Sequence, residues 1–168
     1  MTLVSAADLP DPAGIRVVKA STVDEMRNAI VPASSSADLL VMAAAISDFT
    51  PVQVSDQKIK KQGPGGMSLE LAAVEDFMPL ARGRHLVKVA FAAETSNVEA
   101  NAAAKAAPKG AAFVVANDVT EPGSGFGTDT NRVTFVDAEG NAEAMPLMGK
   151  LDVAHAILDR ALPLLKDR

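Results

Sequence analysis

The chain is 168 residues long, 48% hydrophobic and 22% charged, with a formal net charge of −5. That size suits one domain with a real core, and the apolar content excludes a disordered chain. Cysteine is absent, which excludes disulfides, thiolate metal sites and a cysteine nucleophile and makes the cytoplasm the expected compartment. The acidic excess argues against a nucleic-acid partner. No apolar run approaches the ~18 residues of a membrane span, and Met1–Asp8 lacks the basic start of a secretory signal.

In chain order, Met1–Ser5 reads as a short buried strand and Asp8–Gly14 as a turn region. Ile15–Val18 reads as a second strand. Thr22 and Glu25 have capping-box spacing, which predicts a helix running through Val23, Met26 and Ile30 and ending near Pro32. Leu39–Ala45 is an apolar run without alternation, as expected of a central strand covered on both faces. Ser47–Met67 is polar, basic and rich in Gly and Pro, and loops of that length are commonly functional. Ser68–Ala72 alternates like an edge strand, and Glu75–Ala81 suits a short helix.

Leu86–Ala92 is the next central-strand candidate. Ser96–Glu99 is expected to cap an Ala-rich helix that stops near Ala106, because Pro108 disfavours the helical region at Ala107 and Gly110 can terminate it. Ala112–Ala116 is another buried strand, followed by a glycine-rich loop, Glu121–Asn131. Arg132–Val136 and Ala142–Leu147 form a hairpin around the turn formers of 137–141. Lys150–Leu165 places Leu151, Ala154, Ile157, Leu158, Ala161, Leu162 and Leu165 on one helix face, with Pro163 in the last turn. Strands alternating with helices predict a single α/β domain with a mostly parallel sheet flanked by helices and a C-terminal antiparallel hairpin.

Charge contrast is the strongest chemical signal. Six of the nine lysines (Lys58, Lys60, Lys61, Lys88, Lys105 and Lys109) lie between 58 and 109. Lysines on a long loop can close over a polyphosphate, although on spacing alone a solvated basic loop is the favoured reading. Lys105 and Lys109 share a face if their helix is continuous, which Pro108 is expected to disturb, and on spacing alone the favoured reading is lysines that suit the dipole of a helix C-terminus. Asp48 follows an apolar strand, where it could meet a ribose or magnesium or cap the loop. Gly123–Gly127 follows a strand but lacks both the Walker and the dinucleotide pattern, which argues against an NAD-type domain. His85 and His155 have no metal-ligand spacing.

Met42–Phe49, Lys58–Lys61, Phe91–Thr95, Ala116–Val119 and Gly125–Asn131 occur in an order that resembles the phosphopantothenate–cysteine ligases. That family includes the synthetase half of the bacterial bifunctional coenzyme A biosynthesis protein. Leu9–Gly14 also fits, so the resemblance covers essentially the whole chain. It implies a Rossmann-like three-layer sandwich, and a dimeric ligase that activates 4′-phosphopantothenate with CTP and Mg²⁺ as an acyl-cytidylate and then joins it to cysteine. A bifunctional decarboxylase–ligase is the implied larger context. By position, the resemblance makes Lys58 the catalytic lysine. It makes Met42, Ala43, Ala44, Asp48, Lys58, Glu75, Asp76, Phe77, Met78, Phe91, Lys105 and Lys109 nucleotide contacts, and leaves the metal ligands unassigned. Val74-Glu75-Asp76 departs from the family's common Asn-Pro-Asp. The family's first Gly-Gly-Thr loop and its Ser-Gly segment with a catalytic asparagine have no counterpart in 1–168, Met1–Ser5 matching the family's second strand. The synthetase-like domain is therefore expected to be incomplete at its N-terminus. The alternative expectation is a nucleotide-binding fragment without turnover.

Overall fold

The structure, a computed structural model, describes residues 1–61 and 63–166. Gln62, inside the expected basic loop, lies outside that description. Contacts divide the chain into two compact units, 1–44 with 77–168, and 45–76.

In the first unit, β1 (Thr2–Ser5) pairs in parallel with β2 (Arg16–Lys19). The first helix, α1 (Val23–Ser34), begins as the capping box predicts. Thr22 Oγ1 accepts from the Glu25 N–H at 3.2 Å, and the Glu25 carboxylate accepts from the Thr22 N–H at 3.1 Å. α1 ends close to Pro32 as expected and holds it within the last turn, where a proline removes only one ladder bond and its fixed φ is helical. β3 (Leu39–Met42) is shorter than the apolar run that predicts it.

Within 45–76, β4 (Phe49–Pro51) pairs antiparallel with β5 (Leu71–Ala73), with Phe49 opposite Ala73. The ribbon lies in a stretch expected to be partly loop, and its second strand is shifted from 68–72. Pairing to β4 sets that register: the Val52 N–H donates to Glu70 O and the Val74 N–H to Asp48 O. None of the described residues of 45–76 is buried.

Returning to the first unit, the helix expected over 75–81 is only a 3-10 turn, Met78–Leu80. β6 (Val87–Glu94) leads into α2 (Val98–Lys109), which continues past Ala106 with Pro108 inside it and stops at Gly110 in the left-handed region. Asn97 occupies the N-cap position but is itself left-handed and makes no side-chain cap, contrary to the expected capping. Then follow β7 (Phe113–Asp118), β8 (Thr130–Asn131), β9 (Thr134–Asp137), β10 (Ala142–Ala144), β11 (Met148–Gly149) and α3 (Lys150–Lys166).

The main sheet has the order β10-β9-β7-β6-β3; β3, β6 and β7 are parallel, and β9 with β10 forms the predicted antiparallel hairpin. β8 and β11 form a separate short antiparallel pair. β3 therefore stands at the edge of this sheet rather than at its centre, and Val41 is 38% exposed. β1 and β2 form their own two-stranded sheet, so Leu3 is likewise 38% exposed instead of buried.

Side chains alternate across the sheet. On one face Val89, Phe113, Val115 and Phe135 pack with Val133 against Val153, Ile157 and Ala161 of α3. Phe113 meets Phe135 edge-on at 5.9 Å, and the Arg160 guanidinium sits 3.9 Å from the centre of the Phe135 ring. On the other face the small side chains of Ala90, Ala92 and Ala116 let Ala102 and Ala106 of α2 come close, and all five are buried. The core stripe of α3 is narrower than its apolar pattern suggests. Val153, Ile157 and Ala161 are buried, whereas Leu151, Leu158 and Leu162 are exposed.

Candidate functional site

Ligand crevices of open α/β sheets lie beyond the carboxyl ends of the strands. At that end of the first unit, Met42 closes β3, Glu94 closes β6 and Asp118 closes β7. Met42 is buried, while Ala43 and Ala44 just beyond it are exposed. The Asp118 carboxylate accepts from the side chain and the N–H of Thr120, at 2.6 and 2.8 Å, and these bonds hold it below the usual carboxylate range.

Glu94 is the most constrained charge at this end of the sheet. Its Oε1 pairs with Lys105, and its Oε2 accepts from Asn101 Nδ2 at 2.9 Å. Burial pushes the carboxyl up, but the bonds from Lys105 and Asn101 together with the lysine charge outweigh it and hold Glu94 below its ordinary value. Asn101 also donates to Ser96 O at 3.0 Å. Sequence reasoning gave no role to Glu94 or Asn101. For Asn101 the available signal was its four-residue spacing from Lys105 and that of Lys105 from Lys109, which puts the three on one helix face.

α2 is continuous through Lys109, so Pro108 does not disturb the spacing of Lys105 and Lys109. The two lysines are successive turns of one face, about 6 Å apart along the axis. Lys109 ends the helix beside Gly110, and a Cβ on Gly110 would stand 3.0 Å from Lys88 Nζ. Lys88 donates to Met78 O at 3.2 Å and so serves the turn below the sheet. Phe91 shares the face of Val89 and packs on the α3 side, across the sheet from Lys105. A ligand touching both must therefore lie over the strand ends rather than on either face.

Phe77 and Met78 are 3% and 2% exposed. Their side chains belong to the core, which leaves only their main chain for contact with a ligand. In 45–76, Asp48, Lys58, Lys60, Lys61, Glu75 and Asp76 are all exposed. The three lysines lie between β4 and β5, outside regular structure.

The glycine-rich loop does not form an open phosphate cradle. Buried Asn131 accepts through Oδ1 from Ser124 Oγ at 2.7 Å and from the Gly125 N–H at 3.1 Å, and the Ser124 N–H donates to Glu121 O. These bonds rigidify the loop, whose Phe126 is left 70% exposed between two left-handed glycines. Among the described residues no group of three or more His, Asp or Glu could hold a metal ion.

Comparison with known proteins gives a consistent family. The profile of the DNA/pantothenate metabolism flavoprotein C-terminal domain matches residues 1–164. The coenzyme A biosynthesis bifunctional protein CoaBC of Bacillus subtilis is 38% identical over 161 residues, which cover 94% of this chain and 39% of that protein. A cysteine/cysteine sulfinic acid decarboxylase from an unknown prokaryotic organism is 35% identical over 158 residues, covering 92% of this chain and 44% of that protein. The chain thus spans about two fifths of the length of the curated relatives it matches. Among solved structures, the C-terminal domain of CoaBC superposes with a TM-score of 0.78 at 27% identity, covering 99% of this chain and 75% of that one. A mutant of Cab2 in complex with phosphopantothenate-cysteine shares the fold, with a TM-score of 0.73 at 17% identity over 91% of this chain and 55% of that one.

Proposed function

The chain belongs to the DNA/pantothenate metabolism flavoprotein C-terminal domain family, and from that premise we propose that it is the ligase portion of a coenzyme A biosynthetic enzyme. The reaction is the CTP-dependent joining of 4′-phosphopantothenate to cysteine. A carboxylate oxygen of phosphopantothenate attacks the α-phosphorus of CTP, forming an acyl-cytidylate and expelling pyrophosphate. The cysteine nitrogen then attacks the acyl carbon, a proton leaves the nitrogen, and CMP departs with the pair of electrons of the broken bond. The single observation that carries this reading is the match of the family profile along almost the whole chain to relatives of that pathway.

Lys58 is the proposed catalytic residue, its ammonium stabilising charge that builds on the phosphates as the α-phosphorus is attacked. Lys105 and Lys109 are the proposed phosphate contacts on α2, and Phe91 a base contact. Met42, Ala43, Ala44, Asp48, Glu75 and Asp76, with the main chain of Phe77 and Met78, complete the proposed nucleotide contacts. Magnesium would be carried by the triphosphate, since Mg²⁺ commonly keeps several waters and binds through substrate phosphates; no protein ligand is assigned to it. We further propose a cytoplasmic homodimer within a larger decarboxylase–ligase. The exposed Phe49 and Leu71 of the ribbon, with Val52 and Val54 just after β4, support self-association.

The test is incubation of the protein with CTP, Mg²⁺, 4′-phosphopantothenate and cysteine, followed by mass spectrometry. Equal amounts of amide product and CMP are expected. The second reading is nucleotide binding without turnover. It predicts CTP binding with no amide formed. Absence of both outcomes contradicts the proposed function.

A further inference from the structure

We propose that Glu94 is the positioning residue for Lys105, a fixed carboxylate that holds the ammonium as its counter-ion and competes with an incoming polyphosphate for it. The proposal rests on the reading of Lys105 as a phosphate contact.

The pair is asymmetric. The Glu94 side chain is 12% exposed and that of Lys105 45%. The main chain of Glu94 is anchored where its carbonyl accepts from the Val119 N–H at 3.0 Å, and its second carboxylate oxygen is held by Asn101. Asn101 is fixed in turn by Ser96 O, one helical turn before Lys105. The carboxylate therefore has a set place at the end of β6, while the lysine carries its charge on a flexible four-carbon stem. The rigid partner decides where the mobile one rests.

An ammonium already neutralised by this carboxylate has less attraction for the roughly −2 charge of a nucleoside monophosphate. A polyphosphate brings enough charge to draw it away, and once pyrophosphate begins to leave, Glu94 reclaims it. The arrangement thus favours triphosphate over monophosphate and eases release of the polyphosphate product. Removing the carboxylate charge has two opposed effects. The lysine loses a tether, and a bound polyanion loses a repulsive neighbour. The second scales with ligand charge and prevails for a triphosphate.

The experiment is calorimetric titration of the protein with CTP, pyrophosphate and CMP. Glu94→Gln keeps an acceptor for Asn101 and removes the charge. It is expected to tighten CTP and pyrophosphate by roughly 3–10-fold and CMP by less than about 2-fold. Lys105→Ala is expected to weaken CTP, and in that background Glu94→Gln should bring a gain of less than about 2-fold. Unchanged or weaker CTP binding in Glu94→Gln, with Lys105→Ala still weakening it, overturns the counter-ion role and leaves the nucleotide reading intact. An undiminished gain in the double variant also overturns it, since the effect would then bypass Lys105. Indifference of CTP binding to Lys105→Ala, or no CTP binding by the unsubstituted protein, removes the underlying reading and the proposal with it. Should Glu94→Gln fail to fold, the Lys105 ammonium resonance of the unsubstituted protein is the second readout. It is expected to shift on adding pyrophosphate, and a stationary resonance overturns the proposal.

Discussion

In the first unit, Val89, Val114, Val115 and Val136 lose essentially all their exposure, each such side chain contributing about 1.5–3 kcal/mol. Residues 45–76 contain a two-stranded ribbon whose Phe49, Val52, Val54, Ile59 and Leu71 are at least half exposed, and a lone hairpin of that kind is marginal in water. Yet this second region holds Asp48, a proposed nucleotide contact, and Lys58, the proposed catalytic residue, while the first holds the proposed phosphate contacts Lys105 and Lys109 of α2. The difference teaches where stability and chemistry are separated in this chain. Substitutions in the sheet should act on folding, and substitutions between β4 and β5 should act on turnover.

The largest expected effect lies in the core. Phe135→Ala removes a ring that is 5% exposed and that packs on Phe113 and under Arg160, and it should cost about 3–5 kcal/mol in denaturant unfolding. A cost below 1 kcal/mol would mean that this face of the sheet is not the core. Next is Lys58→Ala, expected to lower pyrophosphate release by at least ~10²-fold with an unchanged melting temperature. Near-normal turnover would move catalysis out of the basic segment.

Smaller effects sharpen the contrast. Thr22→Ala removes the capping bond to Glu25 and should cost about 1 kcal/mol, visible as a few degrees in thermal melting. Phe49→Ala, at a side chain 57% exposed, should change the stability of dilute protein by no more than about 0.5 kcal/mol. A loss of several kcal/mol there would show that the ribbon is part of the folding core and would dissolve the distinction.

Much of the fold was legible because local rules and packing agree. The Thr22–Glu25 box starts α1 where its spacing says, and the apolar runs at Val87–Ala92 and Phe113–Ala116 lie inside the parallel strands β6 and β7. Failures occurred where tertiary partners decide. α1 ends at Ser34, close to Pro32 as expected, but α2 runs past the expected stop near Ala106 because Pro108 in a last turn costs only one bond. The register of β5 depends on β4, which no local period reveals. The stripe of α3 was read too wide because Leu151, Leu158 and Leu162 are apolar without facing the sheet.

At the candidate site, the charge contrast pointed to the lysines, and the family resemblance added the remaining contacts. Glu94 was hidden because a carboxylate at a strand end carries no pattern of its own, and only the fold shows it gripped by Asn101 and Lys105. Phe91 and Lys105 look like neighbours in a motif list of nucleotide contacts. Strand alternation puts Phe91 on the α3 side of the sheet, whereas Lys105 stands on α2, which packs on the other side.

The most direct test of the account is the salt dependence of CTP binding, measured by calorimetry on the unsubstituted protein and on a Lys58→Ala, Lys105→Ala double variant. The account predicts binding that weakens steeply with ionic strength, and a variant that binds more weakly with a shallower slope. Equal affinity and equal slope in the two proteins would contradict it.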